Sequence, residues 1–287
     1  MPSNQIRTYS GAIALVTGAA SGIGAALSRE LARRGATVIL ADRQLEMAQG
    51  IARELGDSAR AVALDVRDAD AFAAVVTEVR EREGRIDYLF NNAGIGMGGP
   101  VEDHSIEDWR YLIDVNLMGV VHGVHSVYPI LLEQGFGHIV NTASMAGQIP
   151  CPGLTAYAAT KHAVVGLTRS LRAECAATGV RVSAFCPGVI RTEILKDGGI
   201  FGKAMGWASS GLDPADIERA RPMNADEFAK AALDGVAANQ EIIILPRFWR
   251  LAYRLDRIFP GFAARRLAKR FEKDTRHRKS RTAGAGG

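Results

Sequence analysis

Three side chains near the middle of the sequence could carry out acid–base chemistry together. Tyr157 and Lys161 lie four residues apart in a segment with helical periodicity, so they are predicted to share one face of a helix. The pKa of a free tyrosine is about 10, which makes it a poor base at neutral pH. A neighbouring ammonium favours the phenolate and lowers that pKa, so Tyr157 is predicted to donate or accept a proton. Ser144 is predicted to end the preceding strand, 13 residues before Tyr157.

A glycine-rich turn near the start of the sequence could hold a dinucleotide. The strand Ile13–Thr17 runs into a turn over Gly18–Gly24, and a helix follows. The glycines allow a tight turn and a close approach to a pyrophosphate, which the helix N-terminus attracts. Asp42 closes the second strand, where its carboxylate can bind ribose hydroxyls and repel a 2′-phosphate. This favours NAD over NADP, although the adjacent Arg43 could pair with that phosphate.

Strands and helices must position these residues. Along the chain, short aliphatic strands alternate with longer helical segments. Strands are predicted at Ile13–Thr17, Thr37–Ala41, Ala61–Leu64, Tyr88–Phe90, His138–Asn141, Arg181–Phe185 and Glu241–Leu245. Helices are predicted at Ile23–Arg34, Leu45–Leu55, Ala69–Arg82, Ile106–Leu132, Ala156–Ala177 and Ala225–Ala238. The alternation predicts an α/β fold, a doubly wound parallel sheet of about seven strands with helices on both faces. We expect one such domain over residues 1–245.

The motifs together resemble the classical short-chain dehydrogenase/reductase family. They follow one another in the family's order over about residues 10 to 245: Thr17–Gly24, Asn91-Asn92-Ala93-Gly94, Asn116, Ser144, Tyr157-Ala158-Ala159-Thr160-Lys161 and Pro187-Gly188. The resemblance implies a Rossmann-type domain and hydride transfer between a nicotinamide cofactor and a secondary alcohol or ketone. The cofactor carries the redox chemistry, while the protein orients it and handles the proton.

The resemblance also implies roles for individual residues. Tyr157 would be the general acid/base, and Lys161 would bind the nicotinamide ribose and lower the tyrosine pKa. Ser144 would bind the substrate oxygen, and Asn116 would hold a water in a proton relay. The implied cofactor contacts are Gly18, Ser21, Gly22, Ile23, Gly24, Asp42, Arg43, Asp65, Val66, Asn92, Ala93, Gly94, Tyr157, Lys161, Pro187, Gly188, Ile190 and Thr192.

A long segment over residues 191–223 is predicted to be a lid over the substrate. It is rich in glycine and apolar residues, and loops of this length in compact domains are usually functional. The predicted substrate contacts are Ile194 and Leu195 from the lid, Ser144, Gln148 and Leu154 opposite it, and Gly96 at the near edge. An apolar lid favours a hydrophobic or bulky alcohol. The alternative, that these residues only pack the lid shut, is left open.

Two further functions compete with an NAD-dependent alcohol dehydrogenase. One is an NADPH-dependent ketoreductase that acts on an acyl thioester or polyketide. The other is a non-catalytic dinucleotide-binding scaffold or sensor on the same fold, which the complete set of Ser144, Tyr157 and Lys161 disfavours. The resemblance also implies a homodimer or homotetramer, formed through the helices Ile106–Leu132 and Ala156–Ala177.

The net charge of +4 is unevenly distributed. Pro246 to Arg281 holds 13 Lys or Arg against 3 Asp or Glu, a net +10, so the rest of the chain carries −6. Apolar and basic residues on different faces predict a helical extension over residues 246–274, followed by a disordered tail over 275–287. The extension could pack on protein or lie on an anionic membrane. Nucleic acid is disfavoured because the body is acidic and no recognition motif is present.

The remaining composition predicts a soluble cytoplasmic protein without a metal site, with peripheral membrane contact of the extension left open. The N-terminus lacks the features of a signal peptide, and no uninterrupted apolar run reaches the roughly 18 residues of a membrane span. Three scattered cysteines, Cys151, Cys175 and Cys186, favour a reducing compartment. His122 and His125 form a His-x-x-His pair without an accompanying Cys or carboxylate cluster, so we expect them to be structural.

Overall fold

Seven parallel strands form the central sheet. The computed structural model describes residues 9–195 and 218–261, together with 264–265, 267–268 and 271–272. The strands are β1 (Ile13–Thr17), β2 (Thr37–Asp42), β3 (Ala59–Ala63), β4 (Tyr88–Asn91), β5 (Gly137–Thr142), β6 (Val180–Pro187) and β9 (Ile242–Leu245), with β7 (Ile190–Arg191) and β8 (Met223–Asn224) paired separately. The order across the sheet is β3-β2-β1-β4-β5-β6-β9, and every neighbouring pair is parallel.

Helices follow the strands and cover both faces of the sheet. Those with described bounds are α1 (Gly22–Arg33), α2 (Leu45–Leu55), α3 (Ala69–Glu83), α4 (Ile106–Ile113), α5 (Gly119–Gln134), α6 (Thr155–Glu174), α7 (Ala225–Ala237) and α8 (Trp249–Ile258). This architecture confirms the predicted doubly wound α/β fold. The predicted lid lies largely outside the described residues, as does most of the chain after Gly261.

Strand β1 is buried along its whole length because both faces of the sheet are covered. All five residues of β1 are buried. Ala14 and Val16 belong to the cluster that includes α1 and α7, whereas Ile13 and Leu15 belong to the cluster on the opposite face with α3 and α5. This continuous burial fixes the register of the strands, and hence the level at which their carboxyl ends present side chains to a ligand.

One predicted helix is interrupted in the structure. The sequence predicts a single helix over Ile106–Leu132, but the chain forms α4, then a π-helical turn over Asp114–Met118, and then α5. The turn contains the fully buried Asn116, whose side chain binds the backbone of Ile95. Single π turns inside helices are frequent at functional sites. Hydrophobic periodicity cannot predict the turn, because the turn depends on the contact of Asn116 with Ile95, which lies in another segment.

Other boundaries differ by a few residues from the predictions. Strand β3 covers Ala59–Ala63 instead of Ala61–Leu64, because an edge strand with partly exposed side chains has a weak apolar pattern. Helix α6 ends at Glu174 rather than Ala177, and a turn leads into β6. The segment Ile106–Gln134 is long and apolar enough to cross a membrane by length and composition. It packs against α3 and the sheet, as a core helix does.

Candidate active site

A cleft opens at the carboxyl ends of β1, β4, β5 and β6, where the strand order changes direction between β1 and β4. Ligands of open α/β sheets bind at this position. The predicted cofactor contacts that line it are Gly18, Ser21, Gly22, Ile23, Asp42, Arg43, Asp65, Val66, Asn92, Ala93, Gly94, Tyr157, Lys161, Pro187, Gly188, Ile190 and Thr192. The cleft therefore brings together residues from all along the first 192 positions.

The glycine turn is shaped so that backbone, not side chains, faces the cleft. Gly18 and Gly22 have positive φ angles of 64° and 53°. A Cβ at Gly18 would lie 2.7 Å from the Cα of Ala93, and a Cβ at Gly24 would collide with the carbonyl oxygen of Gly18. Gly24 thus lies beneath the turn rather than in the lining. Ser21, which precedes α1, makes no capping hydrogen bond with its side chain. The turn fits a pyrophosphate at the N-terminus of α1.

Asn92 and Thr17 attach the glycine turn to the neighbouring strand β4. The Thr17 hydroxyl accepts hydrogen bonds from the backbone N–H groups of Asn92 and Ala93, at 3.0 and 3.1 Å. The Asn92 side-chain amide donates to the carbonyl oxygens of Thr17 and Gly18, at 3.1 and 3.3 Å. These bonds hold the turn in place before any ligand binds.

The end of β2 presents an oriented carboxylate. The two oxygens of Asp42 accept hydrogen bonds from the backbone N–H groups of Ala20 and Gln44, each at 2.9 Å. The carboxylate is therefore tied to the glycine turn, in the position that the sequence predicts for a ribose contact. Arg43 extends from the same strand end and donates to the Tyr111 hydroxyl at 3.1 Å.

A second charged pair lies beside Asp42. Arg67 forms an ion pair with Asp65, at 2.5 Å, and lies over the Tyr111 ring, 5.1 Å from its centroid. The Arg67 guanidinium lowers the pKa of Asp65. Asp65 neutralises Arg67, so this pair adds no net charge to the nucleotide end of the cleft. Arg67 and Tyr111 were not predicted, because neither lies in a motif.

Tyr157 and Lys161 project from the first turns of α6 into the middle of the cleft. The Lys161 Nζ donates to the carbonyl oxygen of Thr142, the last residue of β5, at 2.9 Å. It lies 5.6 Å from the centroid of the Tyr157 ring. Ser144 lies two residues beyond the end of β5, not at its end as predicted, and its hydroxyl accepts from the Ala146 N–H at 3.1 Å. The predicted acid–base set thus converges on one point.

Burial controls the ionisation of this pair. It raises the pKa of Tyr157 to about 12, and the hydrogen bond with Ser144 acts in the opposite direction. Burial lowers the pKa of Lys161 to about 8. The sequence predicts that the ammonium lowers the tyrosine pKa, but in this structure the removal of Tyr157 from water raises that pKa. Tyr157 is therefore a protonated phenol at neutral pH.

A buried polar chain fixes α6 against the sheet. Asn91 in β4 donates to the side-chain oxygen of Asn141 in β5 at 2.9 Å, and Asn141 donates to the Thr168 hydroxyl in α6 at 3.0 Å. Asn116 lies nearby, where its amide donates to the carbonyl oxygen of Ile95 at 3.0 Å. Asn116 supports the cleft from behind rather than lining it, and its role in a water relay stays a prediction.

Comparison with known proteins identifies the family. Residues 12–199 match the short chain dehydrogenase family. The protein is a short-chain dehydrogenase/reductase. It is 45% identical over 186 residues to the oxidoreductase UcpA of Escherichia coli strain K12, a match that covers 63% of this chain and 70% of that one.

Three solved structures share this fold. One from Burkholderia phymatum in complex with NAD has a TM-score of 0.79 at 31% identity, covering 87% of this chain and 94% of that one. The 3-ketoacyl-(acyl-carrier-protein) reductase from Brucella melitensis with NADH gives 0.73 at 30% identity, covering 83% and 98%. The closed form of a serine dehydrogenase with NADP+ gives 0.71 at 30% identity, covering 81% and 94%. The protein is thus an oxidoreductase whose structural neighbours bind NAD, NADH or NADP+.

The substrate side of this dehydrogenase differs in part from the prediction. Ser144, Leu154 and Leu195 line the cleft, together with Ile149 and Cys151. Gln148 does not line it, because its amide donates to the buried Cys186 sulfur at 3.3 Å. Gly96 also lies outside the lining. The side chain of Ile194 lies outside the described residues.

Trp249 is a wall of the cleft that the sequence analysis missed. It is the first residue of α8, and its indole lies so close to Gly188 that a Cβ on Gly188 would overlap the ring. The indole N–H is buried and has no hydrogen-bond partner among the described residues. The available signal was that a large aromatic residue follows the last strand within four residues. A residue that follows the last strand therefore contributes to the cleft of this dehydrogenase.

One histidine of the His-x-x-His pair in α5 has a backbone partner. The Nδ1 of His122 hydrogen-bonds to the carbonyl oxygen of Val66 at 2.9 Å. Among the described residues, no group of three or more His, Cys, Asp or Glu side chains is placed to hold a metal ion.

Proposed function

We propose that this protein is an NAD-dependent oxidoreductase that interconverts a secondary alcohol and a ketone. The observation that carries the proposal is the convergence of Ser144, Tyr157 and Lys161 in the cleft that also contains the glycine turn and Asp42. A scaffold that only bound a dinucleotide would need the turn and the carboxylate. It would have no use for a buried phenol and ammonium beside them.

The chain's own residues handle the proton. When bound, NAD supplies the nicotinamide that exchanges a hydride with the substrate carbon. Tyr157 donates its phenolic proton to the carbonyl oxygen when a ketone is reduced, and takes the hydroxyl proton when an alcohol is oxidised. The Ser144 hydroxyl donates a hydrogen bond to the substrate oxygen, and the Lys161 ammonium stabilises the phenolate. Because the pKa of Tyr157 is about 12, the protein at neutral pH holds the proton needed for reduction.

Asp42 supports NAD as the preferred nucleotide. Its carboxylate is held by Ala20 and Gln44, so it cannot swing away from a 2′-phosphate without losing two hydrogen bonds. The like charges of a phosphate and this carboxylate repel each other. Arg43, the adjacent cation, donates to the Tyr111 hydroxyl on the outer rim. The balance of charge at this end therefore favours a nucleotide with a free ribose hydroxyl.

The walls of the cleft support a hydrophobic or bulky substrate. Beyond Ser144 and Tyr157 they include Ile149, Cys151, Leu154, Leu195 and Trp249, while Thr192 and Glu193 add polar groups to the lining. Burial raises the pKa of the Cys151 thiol to about 12, so Cys151 contributes an uncharged surface. An apolar pocket with one oxygen-binding corner selects a carbinol or ketone by shape and apolar contact.

The decisive experiment measures turnover of NADH and NADPH with a series of ketones, and of NAD and NADP with the matching alcohols. We expect the unmodified protein to turn over at least one pair with a preference for NADH. We expect Tyr157→Phe to lose about 10²–10⁴-fold in turnover, because the proton donor is removed. Tyr128→Phe, on the partly exposed face of α5, is the matched control and should retain activity. Full turnover by Tyr157→Phe, or a preference for NADPH, would contradict the proposal.

A second candidate is reduction of a 3-ketoacyl thioester with NADPH. The similarity to the Brucella melitensis 3-ketoacyl-(acyl-carrier-protein) reductase favours it. Acetoacetyl-CoA in the same assay distinguishes the two substrate classes. Faster turnover of the thioester than of any simple ketone would favour this candidate.

We also propose that the protein works in the cytoplasm as a homodimer or homotetramer. Its three cysteines are unpaired, which suits a reducing compartment. Exposed apolar residues on α4, the π-helical turn and α5 supply a surface for a second copy; they are Ile106, Met118 and Leu132, respectively.

A further inference from the structure

Helix α8 begins inside the dehydrogenase body and leaves it with an apolar face uncovered. Its inner side chains, Trp249 and Tyr253, pack in the cluster that contains Met145 and Cys186 beside the cleft. The opposite face carries Leu251, Leu255 and Ile258 at the spacing of one helix stripe, and they are 64%, 47% and 66% exposed.

The stripe continues past both ends of the helix. Phe248 precedes it and Phe259 follows it, and these rings are 49% and 59% exposed. Five exposed large apolar side chains thus follow one another at helical spacing, and we call the surface that they line the outer face of α8. Monomeric proteins leave single apolar residues exposed, but contiguous apolar patches usually mark an interaction site.

A row of arginines borders the outer face. Arg250, Arg254 and Arg257 precede the three aliphatic residues by one position each, so they lie along one flank of the stripe. Arg257 lies over the Tyr253 ring, 5.5 Å from its centroid. None of the three arginines forms an ion pair with a described residue. The charge on this flank is therefore available to a partner.

We propose that the outer face of α8 docks on an anionic lipid surface, with its apolar stripe among the acyl chains and its arginine row at the headgroups. The pairing of an apolar face with a basic flank is the pattern of helices that lie in the membrane interface. The sequence from Pro246 to Arg281 carries a net +10, so the whole extension has the sign that anionic lipid attracts.

Charge complementarity favours lipid over a second copy of the chain. A second copy that paired through the same face would bring another +10 extension against the first, and like charges at close range destabilise an interface. An anionic membrane supplies the opposite charge and an apolar interior together. Nucleic acid would satisfy the arginines but would leave the five apolar side chains exposed to water.

The docked orientation has a consequence for the substrate, which rests on the function proposed above. Trp249 connects the lipid-facing helix to the cleft, because it belongs to α8 and lines the cleft beside Gly188. Docking would bring the substrate side of the cleft close to the bilayer. An apolar alcohol or ketone dissolved in lipid would then reach the active site from the membrane.

The test is flotation of the full-length protein with vesicles of phosphatidylcholine alone or with phosphatidylglycerol added. We expect binding to the anionic vesicles and little to the neutral ones. Raising the salt to about 1 M should reduce it, because the screening length falls to about 3 Å. Leu255→Glu should reduce the bound fraction at least about tenfold, because it places a charge in the apolar stripe.

Met47→Glu is the matched control. Met47 is 44% exposed on α2, at the opposite edge of the sheet, so the same new charge there should leave vesicle binding unchanged. Nucleotide binding, measured by NADH or NADPH fluorescence, reports whether each variant is folded and does not depend on substrate turnover. The proposal is overturned if the unmodified protein ignores anionic vesicles, or if Leu255→Glu binds them as well as Met47→Glu does. If the unmodified protein does not bind vesicles and Leu255→Glu lowers the mass of its assembly in solution, the outer face of α8 contacts a second copy instead.

Discussion

Lys161 is the member of the acid–base set whose charge changes nearest to neutral pH. Burial lowers its pKa to about 8, whereas burial raises that of Tyr157 to about 12. A lysine is charged below its pKa, so the ammonium is present at pH 7 and is lost between about pH 7 and 9. The Tyr157 phenol stays protonated across that range. Ketone reduction therefore needs the positive charge of Lys161 and the proton of Tyr157. Of these two, only the charge of Lys161 changes near neutral pH.

We predict that kcat/KM for ketone reduction with NADH falls as the pH rises through about 8. A pH profile measured at saturating NADH checks this prediction. Lys161→Met should lower kcat/KM about 10²-fold and remove the alkaline limb, because no group in the set then titrates there. An alkaline limb of the same shape in Lys161→Met would show that another group produces it.

The sequence predicted the chemistry of individual residues better than their exact positions. Tyr157, Lys161 and Asp42 lie in the cleft because their spacing relative to strands and helices is local. Gln148 could not be assigned in this way, because its partner Cys186 lies 38 residues away. The raised pKa of Tyr157 depends on burial by several segments, which a sequence motif does not report.

At the level of elements, α8 adds a wall to the cleft although it lies outside the sequence motifs. Trp249 lies against Gly188, and Gly188 in turn is held by the hydrogen bond from its N–H to the Leu245 carbonyl oxygen, at 2.8 Å. The position of the indole is thus fixed by β6 and β9. A wall of this kind limits the size of the substrate.

We predict that Trp249→Ala changes substrate preference more than nucleotide affinity. The kcat/KM for acetophenone should fall about tenfold because apolar contact is lost, while 2-acetonaphthone should lose less because the cavity admits its second ring. Leu251→Ala, on the exposed side of the same helix, is the control and should leave both values unchanged. Steady-state kinetics with both ketones measures the ratio. An equal loss for both ketones would argue that Trp249 only stabilises the fold.

Hydrophobic periodicity in the sequence predicted where helices form, but it did not predict where a helix is interrupted. The predicted helix over 106–132 has an apolar stripe throughout, and the π turn inside it arises from the contact between Asn116 and Ile95. Such a contact joins segments 21 residues apart. The boundaries of the edge strand β3 were equally difficult, since a strand with a partner on one side only has fewer buried positions to mark it.

At the level of the whole molecule, charge and apolar surface are segregated. The acidic body contains the cleft, and the basic extension begins where the last strand of the sheet ends. Most of the exposed large apolar residues described lie in two places, the outer face of α8 and the segment from α4 to α5, while Met47 and Val101 lie elsewhere. The two surfaces differ in charge, because only the first is bordered by arginines that lack ion pairs within the described residues. We therefore assign them different partners.

We predict that α4 and α5 form the contact between copies of the chain. Ile106, at the start of α4, is 61% exposed, and a second copy would cover it. Ile106→Glu should lower the solution mass to that of a smaller assembly, because burying the new carboxylate costs more than the contact returns. A glutamate at a helix N-terminus interacts favourably with the helix dipole, so the fold itself should not suffer. Multi-angle light scattering of this variant beside Met47→Glu measures the effect. A monomeric unmodified protein would show that no such contact forms, and an Ile106→Glu variant of unchanged mass would place the contact elsewhere.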